Sequence, residues 1–310
     1  MTLINPPLLT HGGTHAARAF RMMVRDLARG SQGVTEGDDL KVRQLSTPGA
    51  GVRVVDGSAV VRGAAWGQGS YTQYNVGDAT VPIAPTGASA RSDLVCLRVE
   101  DPEYEGTRNP ETDEIGYFHV VSNVSATATT VPSGMTAIPL ARVDIPANTT
   151  VLTDSVITDL RQIANPRRER RLYTAFPGSV STLTYSDNKW HTWPVAARWS
   201  VPVPSWATTA KLVTTVAGLR LTRADVYARM QNVLGGTVFG QDTAIDDDQG
   251  SGTRRNTVVI ADSITVTATM RGTTQSLYVQ TYMSKSETGD LSVDAATSLV
   301  ADIEFTESVR

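Results

Sequence analysis

The feature that most constrains this chain is a change of hydrophobic period at about Gly33. Before it, one stretch repeats every three to four residues. After it, apolar and polar residues alternate between turns rich in Gly, Pro and Asp. A period of two sends successive side chains to opposite faces of a strand. Such a chain buries apolar surface only by pairing strands into sheets and packing those sheets. Leu40, Val42 and Leu45 precede the turn Thr47-Pro48-Gly49, and Val52, Val54 and Val60 flank Asp56-Gly57, a pair that predicts a hairpin. The run from Asp93 to Val99 is nearly continuous in apolar residues and predicts a central strand buried on both faces, with Cys96 as a small buried apolar group. Residues 100–114 form an acidic loop carrying Asp101, Glu103, Glu105, Glu111, Asp113 and Glu114, after which strands resume at 116–121 and 139–145.

The helical exception is Thr14–Gly30. Ala16, Ala17, Phe20, Met23, Val24 and Leu27 share one face, and Arg18, Arg21, Arg25 and Arg29 share the opposite one. Thr14 fits an N-cap and Gly30 a C′ position. The basic face suits either solvent or an acidic partner, including an acidic loop of a neighbouring subunit.

A length of 310 residues suits two domains better than one core. Proline and clustered arginines in Asn165–Arg171 predict a linker, dividing the chain into 1–164, 165–171 and 172–310. The second part reads as about seven or eight strands. Its stretch 222–234 mixes helical and strand signals, and its strand neighbours favour a strand there. The expected fold class is mainly β: two β-sandwich, jelly-roll-like domains behind a short N-terminal amphipathic helix.

Composition narrows function. With 19% charged residues, 40% hydrophobic and no apolar run approaching 18 residues, the chain is neither a charge-driven disordered protein nor a membrane-inserted helical one. A net charge of −3 argues against nucleic acid as a partner. One cysteine excludes a disulfide framework and a cysteine zinc site, and no basic, apolar leader is expected at residues 1–9.

Several stretches resemble the N-terminal module of minor tail, baseplate and receptor-binding proteins of tailed phages, the actinobacteriophage type above all. They are the amphipathic helix, GVTEGDDLKVRQLSTPGAGVRVVDGSAVVRG, ARSDLVCLRVEDPEYEG and IPLARVDIPANTTVLTDSVITDLRQI. Within them Arg91-Ser92-Asp93 precedes the buried run, and Ile157, Asp159 and Arg161 match an I-x-D-x-R ending. The resemblance spans residues 14–163. The stretches VPSWATTAKL, NVLGG, MRGTTQSLYV and IEFTE resemble the C-terminal β-sandwich of some such proteins. It implies a virion protein of the tail tip or baseplate, a homotrimer bound to other tail proteins, anchored by the first half and meeting a host-cell surface glycan with the second. A purely structural role in tail assembly and a polysaccharide-degrading tail enzyme are the alternatives.

The residues themselves point to recognition rather than turnover. Trp190, Trp193, Trp199 and Trp206, with Asp187, Asn188 and His191, supply flat apolar rings beside polar groups, as sugars require; the same rings would also fill a core. Asp242, Asp246, Asp247 and Asp248 are candidate calcium ligands whose spacing does not fit an EF-hand, so no metal site is expected and a solvated loop is the plainer account. Ser186-Asp187-Asn188-Lys189 matches S-x-x-K without a following K-T-G, and His11 and His15 are separated by two glycines. The chain is therefore expected to be non-enzymatic and to need no cofactor.

Overall fold

A computed structural model describes His11 and residues 15–184, 187–236, 238–286 and 288–310. Among the described residues the fold is mainly β, with one α-helix, and the named strands pair antiparallel. It divides into a first unit that runs to Pro166 and takes in Val309–Arg310, and a second from Arg167 to Ser308.

In the first unit, Gly33–Val34, Gly57–Arg62 and Ser70–Asn75 form one three-stranded sheet, and Val42–Gln44, Gly51–Val54 and Ala79–Pro82 another. A four-stranded sheet is ordered Ile157–Asp159, Ala137–Ile145, Arg91–Val99, Gly116–Val124. Val54, Val61, Val95, Leu97, Val99, Leu140 and Val143 meet in a common core. The Arg91–Val99 strand is central and buried on both faces, as its composition requires: Val95 and Leu97 face that core, while Leu94 and Cys96 pack with Ala137, Met135 and Leu160 on the other side. The turn at 47–49 joins paired strands, with Val42 opposite Val54. Asp56-Gly57 does not make the expected hairpin. Gly51–Val54 and Gly57–Arg62 belong to different sheets, and the chain crosses between them there. Gly57 has φ +147°, and a Cβ on it would stand 2.6 Å from Asp39 Cα, so the glycine serves a close crossing rather than a two-residue turn.

The motifs behind the sequence resemblance prove to be internal braces. Asp93 is fully buried at a β-bulge, takes a bidentate fork from Arg91 at 2.8–3.0 Å and accepts the Asn123 amide at 2.9 Å. Ser92 Oγ donates to Asp144, itself held by Arg142. The Arg161 guanidinium is buried and donates to Asp159 and to the carbonyls of Gly37, Asp39 and Arg310.

The helix, Ala17–Leu27, has Ala16 at its N-cap; Thr14 lies outside the described residues. Its end is tighter than expected, since Arg29 (φ 53°) and Gly30 (φ 70°) are both left-handed and the Gly30 amide reaches back to the Arg25 carbonyl at 2.8 Å. Its basic face is largely engaged within the chain. Arg18 donates to the Gly67 carbonyl and Arg21 to that of Gln68, Arg21 pairs with Asp101 and Glu103, and Arg25 covers the Trp66 ring. The acidic loop thus meets the arginines within one chain. The physical reason is the surface beneath the helix, which offers carbonyls and carboxylates rather than apolar side chains, and guanidinium donors match it. Leu27 is left exposed. Of the four arginines Arg18 and Arg29 are exposed, and Arg21 and Arg25 are half-buried.

In the second unit two six-stranded sheets enclose one core. The first is ordered Arg168–Ala175, Ser298–Thr306, Thr209–Thr222, Asp290–Val293, Ser181–Thr182, with Arg254–Thr265 also paired to Thr209–Thr222. The second is ordered Trp190–Thr192, Thr274–Met283, Val226–Leu234, Val238–Phe239, with Arg198–Pro202 and Thr243–Asp247 as flanking strands. Leu212, Val216, Ile303 and Phe305 from one sheet pack with Met230, Leu277, Val279 and Met283 from the other, a β-sandwich. The stretch 222–234 is a strand, Val226–Leu234, as its neighbours predict. The expected linker 165–171 is corrected: from Arg168 it is strand, running antiparallel to 299–306. Its charges remain exposed but are paired: Arg167 meets Glu307, Arg170 meets Asp302 and Arg171 meets Glu169.

Candidate functional site

Strand alternation sorts the second sheet of the sandwich into two faces. Ala228, Met230, Leu277, Val279, Thr281 and Met283 point inward and are buried, so Arg229, Tyr278, Gln280 and Tyr282 point outward. The register aligns them in rows. Trp190 lies opposite Tyr282, and Tyr282 opposite Arg229; Thr192, Gln280 and Gln231 form the next row; Arg198 and Tyr278 follow.

The first row is an aromatic platform with a cationic end. The Trp190 and Tyr282 rings are 5.8 Å apart at a tilt of 53°, and the Arg229 guanidinium lies 5.6 Å from one centroid and 5.8 Å from the other. Asp242 pairs with Arg229 and holds it in place. Gln231 donates to Gln280 at 3.0 Å in the second row, and Arg198 sits 4.9 Å from the Tyr278 centroid in the third.

A short loop builds the rim beside Trp190. Asn188 adopts φ 61°, a conformation Asn tolerates, and its Oδ1 accepts from Tyr282 Oη at 3.1 Å and from the Lys285 amide at 2.8 Å. Asp187 Oδ1 accepts from the Lys189 amide at 3.1 Å and meets His191 Nε2 at 2.9 Å. The His191 contact is the main reason the Asp187 carboxyl is held below the usual range. The arrangement offers stacking area, a guanidinium and an amide on one surface.

The structure thus splits the sequence-predicted tryptophan group. Trp190 and Asn188 lie together at the platform, while His191 alternates to the opposite side of its strand and holds Asp187 there. Trp193 (4% exposed) and Trp199 (8%) belong to the core, and Trp206 packs against that core under Arg167, whose guanidinium is 5.6 Å from its ring. Tyr282, Arg229, Gln280, Gln231, Tyr278 and Arg198 were not foreseen. They lie on strands distant in sequence, and their one signal is the outward half of each alternation.

Of the candidate calcium ligands, Asp242 pairs with Arg229 and Asp247 with Arg254, which also donates to the carbonyls of Gly250, Gly252 and Ala224 and so shapes the acidic loop around a guanidinium. Among the described residues no three His, Cys, Asp or Glu side chains cluster as metal ligands would. Ser186, and the glycines between His11 and His15, lie outside the described residues.

No family model matches the chain, and no curated protein matches it in sequence. Among solved structures it is distantly similar to the infectious bursal disease virus Gx strain structure, at 13% identity over 91% of this chain and 72% of that one, with a TM-score of 0.28. A VP2 subviral particle of the same virus matches at 12% identity, 90% and 75% coverage and a TM-score of 0.26. The insecticidal delta-endotoxin Cry8Ea1 of Bacillus thuringiensis matches at 9% identity, 90% and 52% coverage and a TM-score of 0.21. No residue role or partner is carried over from likenesses this remote.

Proposed function

We propose that this chain is a non-enzymatic virion protein of a tailed bacteriophage, placed at the tail tip or baseplate, that grips a host-surface glycan with the outer face of its second unit. The observation that carries the reading is the Trp190–Tyr282–Arg229 row with Asn188 at its rim. Sugar C–H faces stack on such rings, and sugar hydroxyls bond to such amides and guanidinium groups. The virion assignment rests on the sequence resemblance of residues 14–163. In this reading the first unit serves assembly with other tail proteins, and no cofactor is needed. A single contact of millimolar affinity supplies only about 4 kcal/mol, so several copies acting together provide the adhesion.

Binding of purified full-length protein to host cells and to a glycan array tests this. Wild type binds, and Trp190→Ala or Tyr282→Ala lowers binding tenfold or more with circular dichroism unchanged. Retention of full binding by both variants overturns the assignment of the face. A folded wild type that binds no host surface favours the purely structural role.

A further inference from the structure

The other sheet of the second unit presents a different outer face. The register places Leu172, Asp302, Val213 and Ala261 in one row across four strands, and Thr174, Val300, Thr215 and Val259 in the next. Leu172 is 66% exposed, Val259 49% and Val213 40%, and Phe176, just beyond the strand, is 67% exposed. A monomer rarely leaves aliphatic side chains contiguous and bare on a flat sheet, and patches of this kind mark protein interfaces.

We propose that this face packs against the same face of a second copy of this chain. Charge argues for a copy over another partner. Of the charged groups on the face, Arg170 pairs with Asp302 and Arg168 with Glu304, and Lys211 stands opposite Glu304 in the register, so the five carry a net charge of only +1 and a strongly counter-charged partner gains little. The best-matched surface is another flat array of Val, Thr and Ala, and homotypic interfaces are the more apolar class. The size fits as well. Four strands spaced ~4.8 Å and about eight residues long cover roughly 500 Å² per copy, so two copies bury roughly 1,000 Å², the lower bound of a specific interface. Pairing by the sheet edge is disfavoured, since the outer strand opens with Arg168-Glu169-Arg170-Arg171, and charges on an edge strand block further strand addition.

The proposal does not depend on the glycan reading. Its test is the mass of the full-length protein in solution at about 50 µM. Wild type sediments at twice the 33.2 kDa chain mass, since a face paired with its own copy closes at two, and Val213→Lys/Val259→Lys sediments as a monomer with an unchanged circular dichroism spectrum. Both side chains are exposed, so the lysines are accommodated in the monomer; should that pair not fold, Leu172→Asp is the second variant and also yields a monomer. A monomeric wild type, or folded variants that keep the wild-type mass, overturns the proposal. The monomeric variant keeps single-site glycan binding if the platform assignment is correct, so the two readings fail separately.

Discussion

The Arg21 guanidinium lies 3.3 Å from the Asp101 carboxylate, and both side chains are nearly withdrawn from solvent at 13% and 10% exposure. Tyr71 donates to the same carboxylate at 2.7 Å, and Glu103 takes a second bond from Arg21 at 2.5 Å. A basic residue at the centre of the helix is therefore the point at which the helix is fastened to its sheet. Arg21→Met leaves Asp101 enclosed without its cation and is expected to cost about 2 kcal/mol, less than a fully buried pair because Glu103 remains half exposed. Urea denaturation followed by hydrogen exchange of residues 17–27 checks it; an unchanged midpoint with an unchanged helix refutes the fastening role.

His119 and Asp144 contribute to acid-side stability in separate pH windows. Burial, with Arg98 and Arg108 nearby, depresses the His119 imidazole below its ordinary value of 6.5. The unfolded chain then binds a proton before the folded one, so stability is complete above pH 6.5 and falls as pH drops towards the depressed value. Asp144 is held below 3.8, first by its bond from Arg142 and then by Ser92, so its contribution is present above about pH 4 and is lost as pH falls further. Urea midpoints measured from pH 8 to 3 are expected to decline in both windows. His119→Gln removes the upper decline, and Asp144→Asn reduces the lower one, to which Glu100, Asp187, Asp294 and Asp302 also contribute.

Cys96 is fully buried, and burial pushes its thiol up to about 12. The thiolate is the reactive species, so a disulfide reagent at pH 8 is expected to leave the native protein unlabelled for hours and to label it fully in denaturant. Rapid native labelling would show that the apolar layer around Leu94, Cys96 and Met135 opens far more often than its packing implies.

The acidic loop that follows Thr243–Asp247 is built on Arg254. Arg254→Met withdraws donors from the Gly250, Gly252 and Ala224 carbonyls and leaves Asp247 without its cation. A loss of about 2 kcal/mol is expected, together with new protease cleavage between residues 248 and 253. Millimolar calcium is expected to leave the wild-type melting temperature unchanged, since guanidinium groups hold Asp242 and Asp247; a rise of several degrees that EDTA reverses contradicts that account.

Local sequence carried the strands and the buried centre at Leu94–Leu97, because alternation and hydrophobicity act within one strand. It could not show which strands become neighbours. Asp56-Gly57 has hairpin chemistry, yet the approach of Asp39 turns it into a crossing between sheets. The arginines of the helix looked like a solvent face because their partners, Gly67, Gln68 and Asp101, lie on elements far along the chain. Likewise Trp190 was legible as an aromatic candidate, whereas Arg229 and Tyr282 join it only through the register of three strands.

Trp190 and Trp193 stand three residues apart and are expected to fail in opposite ways. Trp193 is 4% exposed and packs in the sandwich core, and the buried Thr281 hydroxyl donates to its carbonyl at 2.8 Å. Trp193→Ala opens a cavity in that core and is expected to cost about 3–5 kcal/mol, lowering the melting temperature before any effect on adhesion can be read. Trp190 is half-buried and leans on Tyr282 and Arg229 at the surface, so Trp190→Ala forfeits about 1 kcal/mol of ring contacts and leaves the fold intact. Calorimetric melting and host-cell binding of the two variants, measured side by side, separate these outcomes. If Trp190→Ala melts as low as Trp193→Ala, the ring is a structural prop and the glycan platform loses its centre; if it melts like wild type and binds nothing, the ring is exposed for a ligand.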